Sequence, residues 1–214
     1  MILTKEQIIG NNAMTKQDKI NLFESLLMSV NRPGIDKVID YIRRTDFYSA
    51  PASTRYHSNY EGGLLDHSLM VYALAEQYLT AMKNVDPTIG ASISDESVII
   101  VSLLHDICKT CMYKKVVKWK KNEFNDWMQY DGFEIEDTFP IGHGEKSVIM
   151  LQKVGLELNT CEMLAIRYHM GFWGEQNTDL KAAQTVATKM CPLVTLIQQA
   201  DYIASVNFEI EIKH

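Results

Sequence analysis

Long apolar segments are missing from this sequence. None of its hydrophobic runs approaches the roughly 20 residues that cross a bilayer as a helix. The first residues, MILTKEQ, also lack the basic start and apolar core of a signal peptide. These absences argue against a membrane partner and predict a cytoplasmic protein.

Cysteine is scarce, and its four occurrences are scattered along the chain. In a chain of this size, such scatter favours reduced thiols over a disulfide framework. One C-x-x-C pair is present, but a zinc site needs two more ligands at a matching spacing. We expect that pair to line the end of a buried helix. The four positions are Cys108, Cys111, Cys161 and Cys191.

Positive charge is also in short supply. Lysine and arginine number 21 against 27 aspartates and glutamates, which leaves a net charge of −6. A surface that holds long nucleic acid neutralises many phosphates and therefore needs a basic excess. We expect no extended nucleic-acid partner, although a local basic pocket remains open as an alternative.

What the chain does contain is helical periodicity. Its 214 residues are enough to bury one core, and apolar residues recur every three or four positions through most segments. Between these segments, KKVVKWKK and WMQYDGFEIE alternate bulky and polar residues around a short turn, which predicts a β-hairpin. The predicted fold class is therefore all-α with one small inserted hairpin. Helices are predicted over residues 16–30, from Pro33 to about 44, from Leu64 onward, over 95–109, from His143 onward, over 160–168 and from Pro192 onward.

Several cationic residues suit an anionic ligand, yet each has a plainer interpretation. Residues 47–60 have no period and form a loop with Arg55 and His57, which is either functional or simply solvated. His143 opens a helix with Lys146 one turn further on, where free backbone N–H groups favour anions. That helix start either holds a phosphate or is a cap followed by an exposed lysine. The hairpin lysines either form a solvent-exposed strand edge or steer an anionic substrate towards the protein.

The stretch VIIVSLLHDICK carries the most specific chemistry. It places His105 and Asp106 side by side after an apolar run, with Lys109 three residues further on. Buried imidazole and carboxylate groups are costly unless something satisfies them, and a metal ion would satisfy both. A histidine at a helix end beside a capping aspartate is the alternative for this pair alone.

The other histidines change that balance. His67 falls on the apolar stripe of its helix, His143 and His169 lie at helix ends, and Asp201 interrupts a nearly apolar helix. Each of these residues alone is compatible with a packed or capping role. Together with the adjacent pair, they are four imidazoles and two carboxylates from five helical segments, which is enough to hold two metal ions.

This pattern resembles the HD-domain superfamily of metal-dependent phosphohydrolases, in the version with two extra histidines. The local motifs are similar as well, and the chain is most similar to small stand-alone HD proteins of bacteria and phages. It also resembles the HD domain of a bacterial 3′ to 5′ exoribonuclease. The motifs are GGLLDHS at His67, LLHDICK at the pair, GHGEKS at His143, AIRYHMG at His169 and ADYIAS at Asp201.

The resemblance implies one HD domain over residues 1–214, with scaffold helices at about 1–45 and a core at about 53–206. It also implies a dinuclear centre of divalent metal ions, whose identity stays open among Mn, Fe, Ni, Co and Mg. One ion would be held by His67, His105, Asp106 and Asp201, and the other by Asp106, His143 and His169.

The activity implied by the resemblance is hydrolysis of a phosphoester, with a water between the ions as nucleophile. Asp106 and Lys109 are then catalytic, because Lys109 lies where it would reach the phosphate. Arg55, His57 and Lys146 are further candidates for binding a small nucleotide-like substrate or a short oligonucleotide. Trp173 could stack on a base or pack in the core, and it is left out of the predicted site.

Two other functions remain open at this point. The same ligand set resembles that of mixed-valence di-iron HD oxygenases, and a sequence does not set the metal or its redox state. A non-catalytic nucleotide sensor with the same fold is the second alternative, although an intact six-ligand set argues against it.

Overall fold

The fold is helical, with one two-stranded sheet. The computed structural model describes residues 3–172 and 177–209, so Trp173 lies outside the described residues. The predicted all-α class with one inserted hairpin is confirmed. The α-helices are α1 Lys5–Ile9, α2 Lys16–Met28, α3 Ile35–Arg44, α4 Gly63–Val85, α5 Pro87–Ala91, α6 Asp95–Leu104, α7 His143–Val154, α8 Thr160–Tyr168, α9 Thr178–Met190 and α10 Pro192–Ile203. A 3₁₀ turn at Ile107–Lys109, a π-helical turn at Ala204–Phe208 and the strands β1 Tyr113–Lys121 and β2 Trp127–Ile135 complete the described elements.

Helix α4 lies at the centre of the core. Its first half is almost wholly buried, and it packs against α5, α6 and α10. Leu64, Leu69, Ile100 and Leu104 are fully buried where these helices meet. Because apolar burial of this kind is the main driving force for folding, α4 and α6 form the rigid base on which the site is built.

The α2–α3 junction differs from the prediction. Helix α2 ends at Met28, and α3 begins at Ile35 instead of at Pro33. Gly34 caps α3 with a φ of 95°, and a Cβ added at Gly34 would lie 2.1 Å from the carbonyl oxygen of Gly155. Only glycine fits that conformation and that contact, so the helix starts after it.

The helix that carries the histidine–aspartate pair also ends earlier than predicted. Helix α6 stops at Leu104, His105 is its C-cap, and the chain continues as the 3₁₀ turn. Asp106, with φ −106° and ψ 18°, has left the α-helical conformation. The expected helix through Lys109 was therefore wrong, and Asp106 and Lys109 lie in the turn that follows α6.

The inserted hairpin is regular. Its antiparallel register pairs Tyr113 with Ile135 at one end and Lys121 with Trp127 at the other. In the turn, the Asn122 side chain accepts hydrogen bonds from two backbone N–H groups. Most of its side chains are exposed, so the hairpin projects from the helical core.

The cysteines correct one prediction. Cys161 and Cys191 form a disulfide with their Cα atoms 5.5 Å apart, where reduced thiols were expected. Cys161 lies in the first turn of α8 and Cys191 is the N-cap of α10, so packing of these two helices brings the sulfurs together. Cys108 is a buried thiol and Cys111 an exposed one.

Among the described residues, no helix combines the length and the apolarity needed to cross a membrane.

Alkylation followed by mass spectrometry tests the thiol assignment. Native protein should take up one label, at Cys111, because Cys108 is fully buried and burial raises the pKa of its thiol to about 12. Denatured, unreduced protein should take up two labels, and denatured, reduced protein four. Four labels without reduction would show that Cys161 and Cys191 are not bonded.

A buried ion pair between Arg32 and Glu162 connects the segment between α2 and α3 to α8. Glu162 is fully buried and accepts two hydrogen bonds from the Arg32 guanidinium, at 2.8 and 3.0 Å. The Ser97 hydroxyl donates a third at 2.7 Å. Removing Arg32 would leave this carboxylate in the core without its counter-charge.

We therefore expect Arg32→Ala to lower the free energy of unfolding by about 3 kcal/mol, as for other broken buried ion pairs. Arg44→Ala is the matched control, because Arg44 pairs with Asp40 on the surface, where such pairs contribute less than about 1 kcal/mol. Urea denaturation of both variants measures the difference. Equal losses would show that the buried pair contributes no more to the free energy of unfolding than the surface pair does.

Candidate metal centre

Five of the six predicted metal ligands lie together in the core. The Nε2 atom of His67 is 3.2 Å from that of His105 and 3.2 Å from an Asp201 carboxylate oxygen. Asp106 presents one oxygen to His67 and His105, at 3.6 and 3.5 Å, and the other to His169 at 3.5 Å. All five residues are at least nine-tenths buried.

Two helix ends orient two of these imidazoles. The Nδ1 atom of His105 lies 2.9 Å from the carbonyl oxygen of Ser102, and that of His169 lies 2.7 Å from the carbonyl oxygen of Ile166. A carbonyl oxygen only accepts hydrogen bonds, so Nδ1 must carry the proton in both rings. In the neutral ring, Nε2 then presents a lone pair to the centre of the site.

His67 is oriented by a residue that sequence reasoning missed. Both carboxylate oxygens of Glu209 lie near its Nδ1 atom, at 3.0 and 3.1 Å, and the Ser58 hydroxyl donates to the same carboxylate at 2.7 Å. Glu209 is buried and follows the π-helical turn after α10. In the neutral ring, this contact also turns a lone pair on Nε2 towards the site.

The resulting arrangement is rich in electron-pair donors, and the Lys109 ammonium contacts one Asp106 oxygen at 2.6 Å. Three imidazole nitrogens and the carboxylates of Asp106 and Asp201 converge, and all of them are electron-pair donors. Within the described part of the chain, one Asp106 oxygen and the Nε2 of His169 have no hydrogen-bond partner. Buried polar atoms are rarely left in this state, so the donor set fits a divalent cation. Three-residue sets whose ligand atoms lie within 4.8 Å of one another include His67, His105 and Asp106, and also His105, His169 and Asp201.

Electrostatics lead to the same conclusion. Burial alone would lower the pKa of His67, but the adjacent carboxylates of Glu209 and Asp201 outweigh it and raise the pKa to about 10. Burial works against ionisation of Asp106 as well, yet Lys109 and the imidazoles hold its pKa well below the usual range. The site therefore attracts positive charge, and a proton on His67 competes with a metal ion for the same lone pair.

Lys109 is committed to Asp106. Its ammonium lies 2.6 Å from the Asp106 oxygen that also faces His67 and His105, and the side chain is buried. Burial would lower the pKa of Lys109, but the Asp106 carboxylate keeps it raised. The lysine thus stays charged beside the carboxylate.

His143 lies at the edge of this cluster. It is the first residue of α7, and its Nδ1 atom is 3.7 Å from the sulfur of Cys108. Among the described residues, His143 is not part of any set of three ligand atoms within 4.8 Å. The structure therefore assembles the first predicted ligand set more closely than the set of Asp106, His143 and His169.

The predicted substrate residues are spread around the centre. The ring of His57 lies 4.9 Å from that of His67, and burial lowers the pKa of His57 to about 4. Lys146 is buried, in contrast to the exposed lysine considered above, and its ammonium contacts Asp137 at 2.5 Å. Arg55 lines a separate pocket beside the hairpin.

These observations define a helical domain with a buried histidine–aspartate centre suited to a divalent metal. The family model described as "HD domain" matches residues 64–205, which is most of the chain. The chain therefore belongs to the HD domain family.

One curated relative is informative. The chain is 31% identical over 117 residues to the dihydroneopterin 2′,3′-cyclic phosphate phosphodiesterase of Methanocaldococcus jannaschii. The aligned region covers 54% of this chain and 41% of that relative. The similarity therefore spans less than half of the relative's length. No solved structure matches the chain significantly.

Glu209 offers a test of the metal site that does not depend on activity. Glu209→Ala should weaken Mn²⁺ binding by about 10- to 100-fold, the usual cost of losing a partner that orients a ligating histidine. Glu209→Gln should retain much of the affinity, because its amide oxygen still accepts from Nδ1. Chelator competition measures the dissociation constants.

The matched control is Glu123→Ala, which removes an exposed carboxylate in the hairpin turn and should leave metal affinity unchanged. Wild-type affinity in Glu209→Ala would show that Glu209 does not support the centre.

Proposed function

We propose that this protein is a metal-dependent phosphohydrolase that cleaves a phosphoester at the buried histidine–aspartate centre. The observation that carries the proposal is the convergence of three imidazole nitrogens and two carboxylates, among which one Asp106 oxygen and the Nε2 atom of His169 have no hydrogen-bond partner in the described part of the chain. Membership of the HD family and the similarity to a phosphodiesterase support it.

We further propose two metal ions. His67, His105, Asp106 and Asp201 would hold the first, and Asp106, His143 and His169 the second, with Asp106 shared. The ions would be drawn from Mn, Fe, Ni, Co or Mg, which suit mixed nitrogen and oxygen ligands. Such ions lower the pKa of a coordinated water and withdraw charge from the phosphoryl oxygens.

The chain's own side chains would then position and stabilise the reacting groups. Lys109 neutralises part of the Asp106 charge and retains N–H donors for a phosphoryl oxygen. The ring of His57 lies 4.9 Å from that of His67 and is neutral at physiological pH, so it can donate or accept one hydrogen bond. Lys146 would assist only after leaving Asp137.

The substrate proposed is a small, nucleotide-like phosphoester or a short oligonucleotide. The relative's name specifies a 2′,3′-cyclic phosphate, which is a small phosphodiester. The net charge of −6 does not favour long nucleic acid, which needs many basic contacts.

Asp106 and Lys109 separate metal binding from turnover. Asp106→Ala should lose both bound metal and activity, since Asp106 faces His67, His105 and His169. Lys109→Ala should keep its metal and lose about 100-fold in kcat, in line with the loss of one transition-state donor. Lys181→Ala, which removes an exposed lysine on α9, is the control and should match the wild type.

Elemental analysis and hydrolysis of bis(p-nitrophenyl) phosphate and p-nitrophenyl phosphate with Mn²⁺ provide the two readouts. Two metals per chain would support the dinuclear proposal and one would reject it. Fully metallated Asp106→Ala would reject the ligand assignment. Two irons with oxygen consumption and no ester hydrolysis would favour the oxygenase instead.

A further inference from the structure

A pocket lies between the loop of residues 54–59 and the hairpin. Its volume is about 490 Å³, within the range of small-molecule sites. Residues 54–59 precede the part of the chain that matches the family model, and the hairpin is the only sheet in the described residues. The lining residues are Thr54, Arg55, Asn59, Lys118, Trp119, Tyr130 and Glu134.

On the hairpin side, a cation and an aromatic ring share one face. Lys118 and Tyr130 are directly opposite in the register, so their side chains leave the sheet on the same side. The Lys118 ammonium donates to the carbonyl oxygen of Phe133 at 2.7 Å and retains two further N–H donors. A Cβ at Gly132 would lie 2.9 Å from the Lys118 side chain, so the glycine lets the lysine lie across the strand.

On the loop side, a closed turn presents an arginine. The backbone N–H of Ala52 donates to the carbonyl oxygen of Ser58 at 3.1 Å, and the Ser53 hydroxyl donates to that of His57 at 2.7 Å. Arg55 lies at the tip of this closed turn and lines the pocket. Over residues 3–172 and 177–209, no carboxylate forms an ion pair with its guanidinium. Its donors are therefore available to an anion.

The same loop connects the pocket to the metal centre. The ring of His57 contacts that of His67. Arg55 is two residues before His57, so the Cα atoms of Arg55 and His57 are at most about 7 Å apart. An ion pair of 2.7 Å between Glu61 and Lys115 joins the end of the loop to β1. The pocket and the centre therefore adjoin the same short segment.

We propose that this pocket binds a nucleotide unit of the substrate, with its aromatic base on Tyr130 and its phosphate between Arg55 and Lys118. Arginine pairs with phosphate through two parallel hydrogen bonds, and aromatic side chains stack on any base. This inference rests on the proposed function, because the scissile ester lies at the metal centre. The substrate class is then a nucleotide with a second phosphate group, such as a nucleoside bisphosphate or a dinucleotide.

Calorimetric titration with adenosine 5′-monophosphate tests this assignment, with adenosine and inorganic phosphate as partial probes. Arg55→Gln and Tyr130→Ala should each raise the dissociation constant by about 10-fold or more. Each has a matched control among residues that do not line the pocket, because Lys121 lies 5.6 Å from the ring of Trp127 and neither residue is part of the lining. Lys121→Gln and Trp127→Ala should bind as the wild type does.

Metal content, measured on every variant, should stay at the wild-type value. Binding by Arg55→Gln and Tyr130→Ala with wild-type affinity would overturn the pocket assignment, as would the absence of nucleotide binding by the wild type. Ester hydrolysis by the wild type reports separately on the proposed function. Pocket-dependent binding without hydrolysis under any metal would leave the pocket assigned and reject the phosphohydrolase.

Discussion

The constraint on which this structure depends is the burial of five electron-pair donors around one point. Nε2 atoms of three histidines and the carboxylates of two aspartates meet there, and among the described residues one Asp106 oxygen and the Nε2 atom of His169 have no hydrogen-bond partner. Such a set is tolerable only with positive charge nearby. Lys109 supplies part of it, protons on the imidazoles supply another part, and bound divalent metal would supply the rest.

Helix ends make this arrangement possible. His105 and His169 are the C-caps of α6 and α8, and each Nδ1 bonds to the carbonyl oxygen three residues earlier. The last carbonyls of a helix have no partner within the helix, so they are free to orient an imidazole. The same ends carry the negative pole of the helix dipole and thus favour a cation. If α6 continued through Lys109, as its apolar pattern predicts, the Ser102 carbonyl would be engaged within the helix. The early break is therefore part of the site.

The sequence was sufficient to predict the helical class, the hairpin and the residues of the cluster, because each depends on a local pattern or a spaced motif. Glu209 could not be found in this way. Its partner, His67, is 142 residues away in the sequence. A buried histidine needs a hydrogen-bond acceptor for its second nitrogen, but its local sequence does not indicate which residue supplies it. The Cys161–Cys191 pairing depends on how α8 packs on α10, which cysteine spacing does not reveal. Helix α9 was not predicted either, because the residues that it buries, Gln184 and Ala187, are polar and small and give no stripe of large apolar side chains.

In the function proposed above, the hairpin would serve recognition while the buried centre serves the reaction. The hairpin begins four residues after Lys109 and ends before His143, so both of its ends are close in sequence to residues of the centre. Most of its side chains are nevertheless exposed, and none of them belongs to a ligand set within 4.8 Å among the described residues. Under the proposed assignment, substitutions on the face of Lys118 and Tyr130 would change which molecule is bound without disturbing the buried cluster. A binding pocket that varies beside an unchanged metal centre would let the same helical fold act on different phosphoesters.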